Sequence, residues 1–196
     1  MIIIKHRINT VSELQSVSHS YGVEIDIRSH GSELILHHDP FVQGESFINW
    51  LQFYKHGTLI LNVKEEGLEP RLITLMEQHG IKDYFFLDQS FPFLMKYFQA
   101  GEGRSAVRVS EFESVETALS LAGKVCWIWV DCFTRFPLSF EHARQLQEAK
   151  FKLCLVSPEL QGRNAETEIP KMKQLLKDIG IQAEAVCTKR PDLWEK

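Results

Sequence analysis

Short apolar runs rich in β-forming residues recur along the whole chain, with helix-like stretches between them. The runs are Ile2–Arg7, Val23–Arg28, Thr58–Lys64, Tyr84–Asp88, Ala106–Ser110, Val125–Asp131, Lys152–Ser157 and Ala183–Thr188. Val, Ile, Phe and Trp dominate them, as strands buried on both faces require. A further run, Glu33–His38, follows the second at once and predicts a short β-hairpin arm. Helix patterns cover Thr10–Tyr21, Glu45–His56, Leu68–His79, Pro92–Ala100, Ser114–Ala122, Ser139–Ala149 and Ile169–Ile179. Thr10 with Glu13 three residues on forms a capping-box signature. Gly57, Gly80, Gly101, Gly123 and Gly180 sit where helices stop.

This alternation predicts an α/β fold with parallel strands and helical crossovers. A chain of 196 residues allows about 24 residues per unit, which is tight because barrels of this kind usually run roughly 200 residues or more. A compact (β/α)8 TIM barrel, eight-stranded and parallel, is the simplest solution, and an open doubly wound sheet is the runner-up. No linker or low-complexity segment interrupts 1–196, so a single domain is expected.

The formal net charge is −4, which argues against holding nucleic acid by bulk charge. It leaves room for a small phosphorylated substrate in one local pocket. No run approaches 18 apolar residues, so no membrane insertion is expected. The stretch Met1–Ile4 is too short for a secretory signal and reads as a buried first strand. Cys126, Cys132, Cys154 and Cys187 form no Cys-x-x-Cys pair and lie in or beside apolar segments. They read as buried thiols in a reducing cytoplasm. The oligomeric state is not written in the sequence.

Polar groups collect at the C-terminal strand ends, where barrels build their functional face. They are His6 and Arg7, Glu24 and Asp26, Asn62 and Lys64, Asp88, Arg108 and Ser110, Asp131, Ser157, and Thr188. Strand parity puts Glu24 and Asp26 on one face and Val23, Ile25 and Ile27 on the other. Asn62 and Lys64 share a face for the same reason, as do Trp127, Trp129 and Asp131. Two carboxylates on one face repel unless a cation separates them. Oxygen-only ligation suits one divalent cation, Mg2+ or Ca2+; an ion network with Arg7, Arg28 or Lys64 is the alternative. In His37-His38-Asp39 only one ring can face a site, and the following Asp39 favours His38. With His6 it supplies an acid and a base for neutral pH. Arg7 and Lys64 offer cations for a phosphate. Glu159 and Arg163, just after the seventh strand, read equally as a turn into the last helix or as headgroup contacts. Trp50, Phe53, Tyr54, Phe91 and Phe93 read as helix packing.

The ordered set His6-Arg7, Glu24-x-Asp26, His38-Asp39 and Asn62-x-Lys64 resembles the signature of the glycerophosphodiester phosphodiesterases, within the phosphatidylinositol phospholipase C-like superfamily. Asn9-Thr10 resembles the pair that opens the family's first helix. Later stretches, among them Phe85-Phe86-Leu87-Asp88, Arg108-Val109-Ser110 and Val156-Ser157-Pro158-Glu159, resemble a small bacterial subgroup associated with surface polysaccharides. The resemblance implies a metal-dependent phosphoric diester hydrolase. His6 and His38 would be its acid and base. Glu24, Asp26 and Asn62 would hold the metal, and Arg7, Lys64, Asp88, Arg108, Asp131, Glu159 and Arg163 would contact substrate or phosphate. Two departures stand out: Ile8 replaces the family's Gly, and Asn62 replaces a metal-binding Glu. They motivate the alternative of a barrel that binds a phosphorylated ligand without turnover. A Schiff-base aldolase using Lys64 and a structural subunit of a biosynthetic complex are the other rivals.

Overall fold

The computed structural model describes residues 1–195 as an α/β fold. In chain order the elements are β1 (Ile2–Lys5), α1 (Val11–Ser16), β2 (Gly22–His30), β3 (Glu33–Leu36), β4 (Glu45–Ser46), α2 (Phe47–Leu51), β5 (Leu59–Val63), α3 (Glu69–Gln78), β6 (Tyr84–Leu87), α4 (Phe91–Gln99), β7 (Ala106–Val109) and α5 (Val115–Leu119). They continue with β8 (Trp127–Val130), α6 (Phe140–Glu148), β9 (Lys152–Val156), a 3-10 turn (Pro158–Gln161), α7 (Ala165–Asp178), β10 (Ala185–Thr188) and α8 (Pro191–Glu195). The contacts divide the chain into two compact units, Lys5–Ser105 and Met1–Ile4 with the residues from Ala106 on.

The Lys5–Ser105 unit carries the strand order β4-β3-β2-β5-β6. β2 pairs antiparallel with β3, in register Ile27 with Leu36, and parallel with β5, in register Asp26 with Asn62. One face of the central strands is apolar: Val23, Ile25 and Ile27 pack with Leu59, Leu61 and Val63. Helices α1, α2 and α3 close over that face through Leu14, Trp50, Leu72 and Met76, each fully buried. Alternation then leaves Glu24, Asp26 and Asn62 on the opposite face. Gly44 lies against β3; a Cβ there would meet the Leu36 carbonyl oxygen at 2.4 Å.

In the other unit β1, β10, β9, β8 and β7 are neighbours in that order. The β7–β8, β8–β9 and β9–β10 pairs are parallel. The Ile2 N–H donates to the Glu184 carbonyl at 2.7 Å. Val130, Leu153, Leu155 and Val186 are at or near full burial.

Helix starts follow their caps. Thr10 and Glu13 complete the capping box expected from the sequence. Ser46, Ser114, Ser139 and Asn164 each accept an N–H three residues on. Replacing Thr10 by Ala removes one end of the box and is expected to cost about 1 kcal/mol, read as a lower urea midpoint with unchanged slope.

Several expectations change. The helix expected over Thr10–Tyr21 stops at Ser16, because Val17 is already extended. The stretch Glu45–His56 opens as a strand that pairs with Ile35 and Leu36 before α2 begins. The last long helix starts at Ala165, capped by Asn164, and carries Pro170 within it. Cys126 is exposed, contrary to the expectation of four buried thiols, whereas Cys132, Cys154 and Cys187 are buried. Phe53 and Phe91 are exposed, so they do not pack as Trp50 does. No helix among the described residues is long and apolar enough to cross a membrane.

Candidate active site

The Lys5–Ser105 unit buries two carboxylates side by side. Glu24 is 0% and Asp26 1% exposed. Both sit on β2, two residues apart, as the sequence predicts. Burial foremost, and the charge of Asp26 next, push the Glu24 carboxyl up to about 7, against hydrogen bonds from Asn62 and the Arg7 N–H.

The segment after β1 wraps this pair. Arg7 adopts a left-handed backbone, φ 55°, which costs an L-residue about 1–2 kcal/mol. That turn sends the Arg7 N–H to Glu24 Oε2 at 2.8 Å and the Ile8 N–H to the Glu24 carbonyl at 2.9 Å. Its guanidinium Nε stands 3.6 Å from Asp26 Oδ2. Ile8 is buried in the apolar cluster, so its side chain anchors this turn. His6 Nε2 lies 3.8 Å from Glu24 Oε2. Asn9 clamps Asp26 twice: its Nδ2 donates to Asp26 Oδ2 and the Asp26 N–H donates to its Oδ1, both at 2.9 Å. The sequence marks Asn9 only as a helix opener. Its place two residues before the helix, in the short link after β1, was the available signal.

β5 supplies the other wall. Asn62 Nδ2 donates to Glu24 Oε1 at 2.9 Å. Lys64 Nζ stands 3.3 Å from Asp26 Oδ1 and 3.3 Å from Asp88 Oδ2. Asp88 at the end of β6 has a left-handed backbone as well, φ 59°. Such conformations gather at functional sites. Beside Lys64 opens a cleft of about 330 Å³, lined by Glu69, Asp88, Gln89 and Ser90 among others. Glu69 is fully buried there and accepts from the Gly67 N–H at 3.1 Å and from Gln89 Nε2 at 3.0 Å. Glu69 and Gln89 were not singled out by sequence.

The turn after β3 carries both adjacent histidines. The His37 N–H donates to the Asp26 carbonyl at 3.0 Å, and its ring Nδ1 accepts from the Asp39 N–H at 3.0 Å. His38 Nδ1 pairs with Asp39 Oδ1 at 2.8 Å. That bond, first among its causes, holds the Asp39 carboxyl below its usual range.

The remaining expected residues lie in the other unit and are tied to their own neighbours. Arg108 pairs with Asp131, which also accepts from the Cys132 N–H and from Gln161 Nε2. Glu159 accepts from the Ser157 and Thr188 hydroxyls and the Lys189 N–H. Arg163 Nη2 donates to the Cys132 carbonyl at 2.7 Å.

Whether a divalent cation fits is decided by donor chemistry. Among the described residues no group of three or more His, Cys, Asp and Glu side chains is arranged around a metal position. The third oxygen donor here is an amide, that of Asn62. Asn62 Oδ1 and Asp26 Oδ1 are both buried without a hydrogen bond. Lys64 is close to Asp26 Oδ1 but outside hydrogen-bond geometry, so that oxygen keeps an unused lone pair. The two carboxylates and the Asn62 amide oxygen are the oxygen donors that a hard cation would take, and of these Asp26 Oδ1 and Asn62 Oδ1 accept no hydrogen bond.

A glycerophosphodiester phosphodiesterase from Agrobacterium tumefaciens superposes with a TM-score of 0.67, covering 99% of this chain and 97% of that one at 14% identity. A glycerophosphoryl diester phosphodiesterase from Parabacteroides distasonis gives 0.65, covering 99% and 85% at 12% identity. The chain has the fold of the glycerophosphodiester phosphodiesterases. At these identities the likeness rests on backbone course over nearly the full length, so the fold is shared while side chains have diverged. No model of a known family and no curated protein matches the sequence.

Proposed function

We propose that this chain is a metal-dependent phosphodiester hydrolase acting in the cytoplasm on a small soluble glycerol- or sugar-phosphodiester. The observation that carries the reading is the buried Glu24–Asp26 pair with His6, Arg7, Asn62 and Lys64 converging on it. The phosphodiesterase fold supports it. One Mg2+ or Ca2+ held by Glu24, Asp26 and the Asn62 amide oxygen would supply charge neutralisation for the phosphoryl group and acidify a neighbouring hydroxyl. His6 takes the proton from a substrate hydroxyl next to the phosphodiester, and that oxygen attacks phosphorus. His38 gives a proton to the departing alcohol oxygen. The product of this step is a cyclic phosphate; the two histidines then exchange roles as water opens it to the monoester. Arg7 and Lys64 balance the charge that develops on the phosphoryl oxygens, an effect worth several kcal/mol in a dry site. His38 is preferred over His37 because a carboxylate holds its Nδ1, while the His37 nitrogen is spent on the turn backbone. The test is hydrolysis of sn-glycero-3-phosphocholine, which carries a hydroxyl next to its phosphodiester, with added Mg2+ or Ca2+.

A second reading, ligand binding without turnover, draws on Asn62, which leaves the site one negative charge short of three carboxylates. Asn62→Glu therefore separates the two readings. It is expected to tighten divalent-ion binding by about 1–3 kcal/mol after the cost of burying the new charge, measured by calorimetric titration. Faster turnover with it identifies metal affinity as the weak point. Tighter metal binding with loss of phosphodiester binding identifies Asn62 as a substrate contact.

A further inference from the structure

One half-buried cation in the Lys5–Ser105 unit, Arg28, serves backbone carbonyls rather than the carboxylate pair. Arg28 lies on β2 two residues beyond Asp26, on the same strand face. Its Nε and Nη2 both donate to the His38 carbonyl, at 3.1 and 3.0 Å. Its Nη1 donates to the Lys64 carbonyl at 3.5 Å and stands 3.7 Å from Glu65 Oε1. The side chain is 15% exposed. Glu65 is held in turn by the Ser29 N–H at 3.1 Å and the Ser29 hydroxyl at 2.5 Å.

His38 needs such a hold. Its ring is 42% exposed and its carboxylate partner Asp39 is 71% exposed. An exposed pair of this kind fixes a ring weakly, because solvent screens it and both side chains must be ordered. Two N–H groups of one rigid planar fork on one carbonyl fix position and direction together. A lysine ammonium cannot reproduce that fork. The arginine itself stands on a central strand whose apolar face is packed. We infer that Arg28 is a positioning residue for His38: it carries the placement of the carboxylate strand to the turn that bears the histidine, and through the Lys64 carbonyl to the end of β5. The inference rests on the reading of His38 as acid or base. It gives Arg28 no contact with substrate.

The experiment compares full-length wild type, Arg28→Lys and Arg28→Gln in two readouts. The first is kcat and KM on sn-glycero-3-phosphocholine with Mg2+. Arg28→Gln is expected to lower kcat on the order of 10–100-fold with KM within about threefold, since a misplaced group loses rate before it loses binding. Arg28→Lys recovers part of that loss. The second is nitrogen-15 NMR of the His38 ring, where the Nδ1 proton shared with Asp39 should broaden in Arg28→Gln and, to a lesser degree, in Arg28→Lys, whose ammonium cannot reproduce the fork. Unchanged kcat and an unchanged His38 signal in both variants overturn the inference. A fall in kcat with the His38 signal intact overturns it too, because the loss then arises elsewhere. Should Arg28→Gln fail to fold, Arg28→Lys keeps the charge beside Glu65 and carries the comparison with wild type. A wild type that turns over no phosphodiester defeats the proposed function, and the His38 signal then decides the positioning separately.

Discussion

His6→Ala is expected to lower phosphodiester turnover on the order of 10²–10⁴-fold, the usual contribution of a positioned acid or base. The ring sits directly after β1 with Nε2 3.8 Å from Glu24 Oε2, so it borders the buried carboxylates without bonding tightly to them. His38→Ala should fall in the same range, since the protonated leaving group needs the second ring. Substrate KM should move little in either variant, because neither ring supplies the main charge that binds phosphate. His79→Ala and His142→Ala provide the contrast. His79 ends α3 and His142 lies in the first turn of α6, so both variants should keep full turnover. A His6→Ala protein with wild-type rate removes the mechanism.

Asp26→Asn is the second large effect. The substitution keeps the shape of a residue that is 1% exposed, and the Asn9 amide can still donate to the new amide oxygen. What it removes is charge. Only Glu24 then remains as an anionic donor, and Coulomb attraction to a divalent ion is the larger part of its binding at such sites. Calorimetric titration with Mg2+ and Ca2+ should show affinity lower on the order of 100-fold or more, with turnover lost in step. Lys64 keeps Asp88 as a counterion, so no unpaired buried charge is created. The fold should survive, and a thermal melt checks this. Equal affinity in wild type and variant would show that the metal position is wrongly assigned.

The site was legible in the sequence where the signal was local. Alternation along Val23–Ile27 fixes which face of β2 is apolar, and the carboxylates follow on the other. The capping box at Thr10 fixes where α1 starts, and hence the short span in which Arg7, Ile8 and Asn9 must turn. What stayed hidden depends on pairing between distant segments. Nothing in the local pattern says that Asn9 will bond Asp26, 17 residues away, because the contact needs the link between β1 and α1 to fold back onto β2. Arg108 and Asp131 read as ligand groups from their strand-end positions; the β7–β8 register sets Arg108 opposite Trp129, which lets the guanidinium reach Asp131. Glu159 is likewise taken up by the end of β10 through the Thr188 hydroxyl. The two-residue strand β4 disappears inside a helical hydrophobic pattern, since its pairing with β3 depends on Gly44 seating against Leu36.

The central claim is that the residues around Glu24 and Asp26 cleave a phosphodiester. Phosphorus-31 NMR of the purified full chain with sn-glycero-3-phosphocholine, in Mg2+ and separately in Ca2+, tests it most directly. The account predicts that the diester resonance gives way to a monoester resonance through a transient cyclic phosphate, and that His6→Ala stops this conversion. A diester resonance that persists with both ions, or that disappears equally fast in His6→Ala, contradicts it.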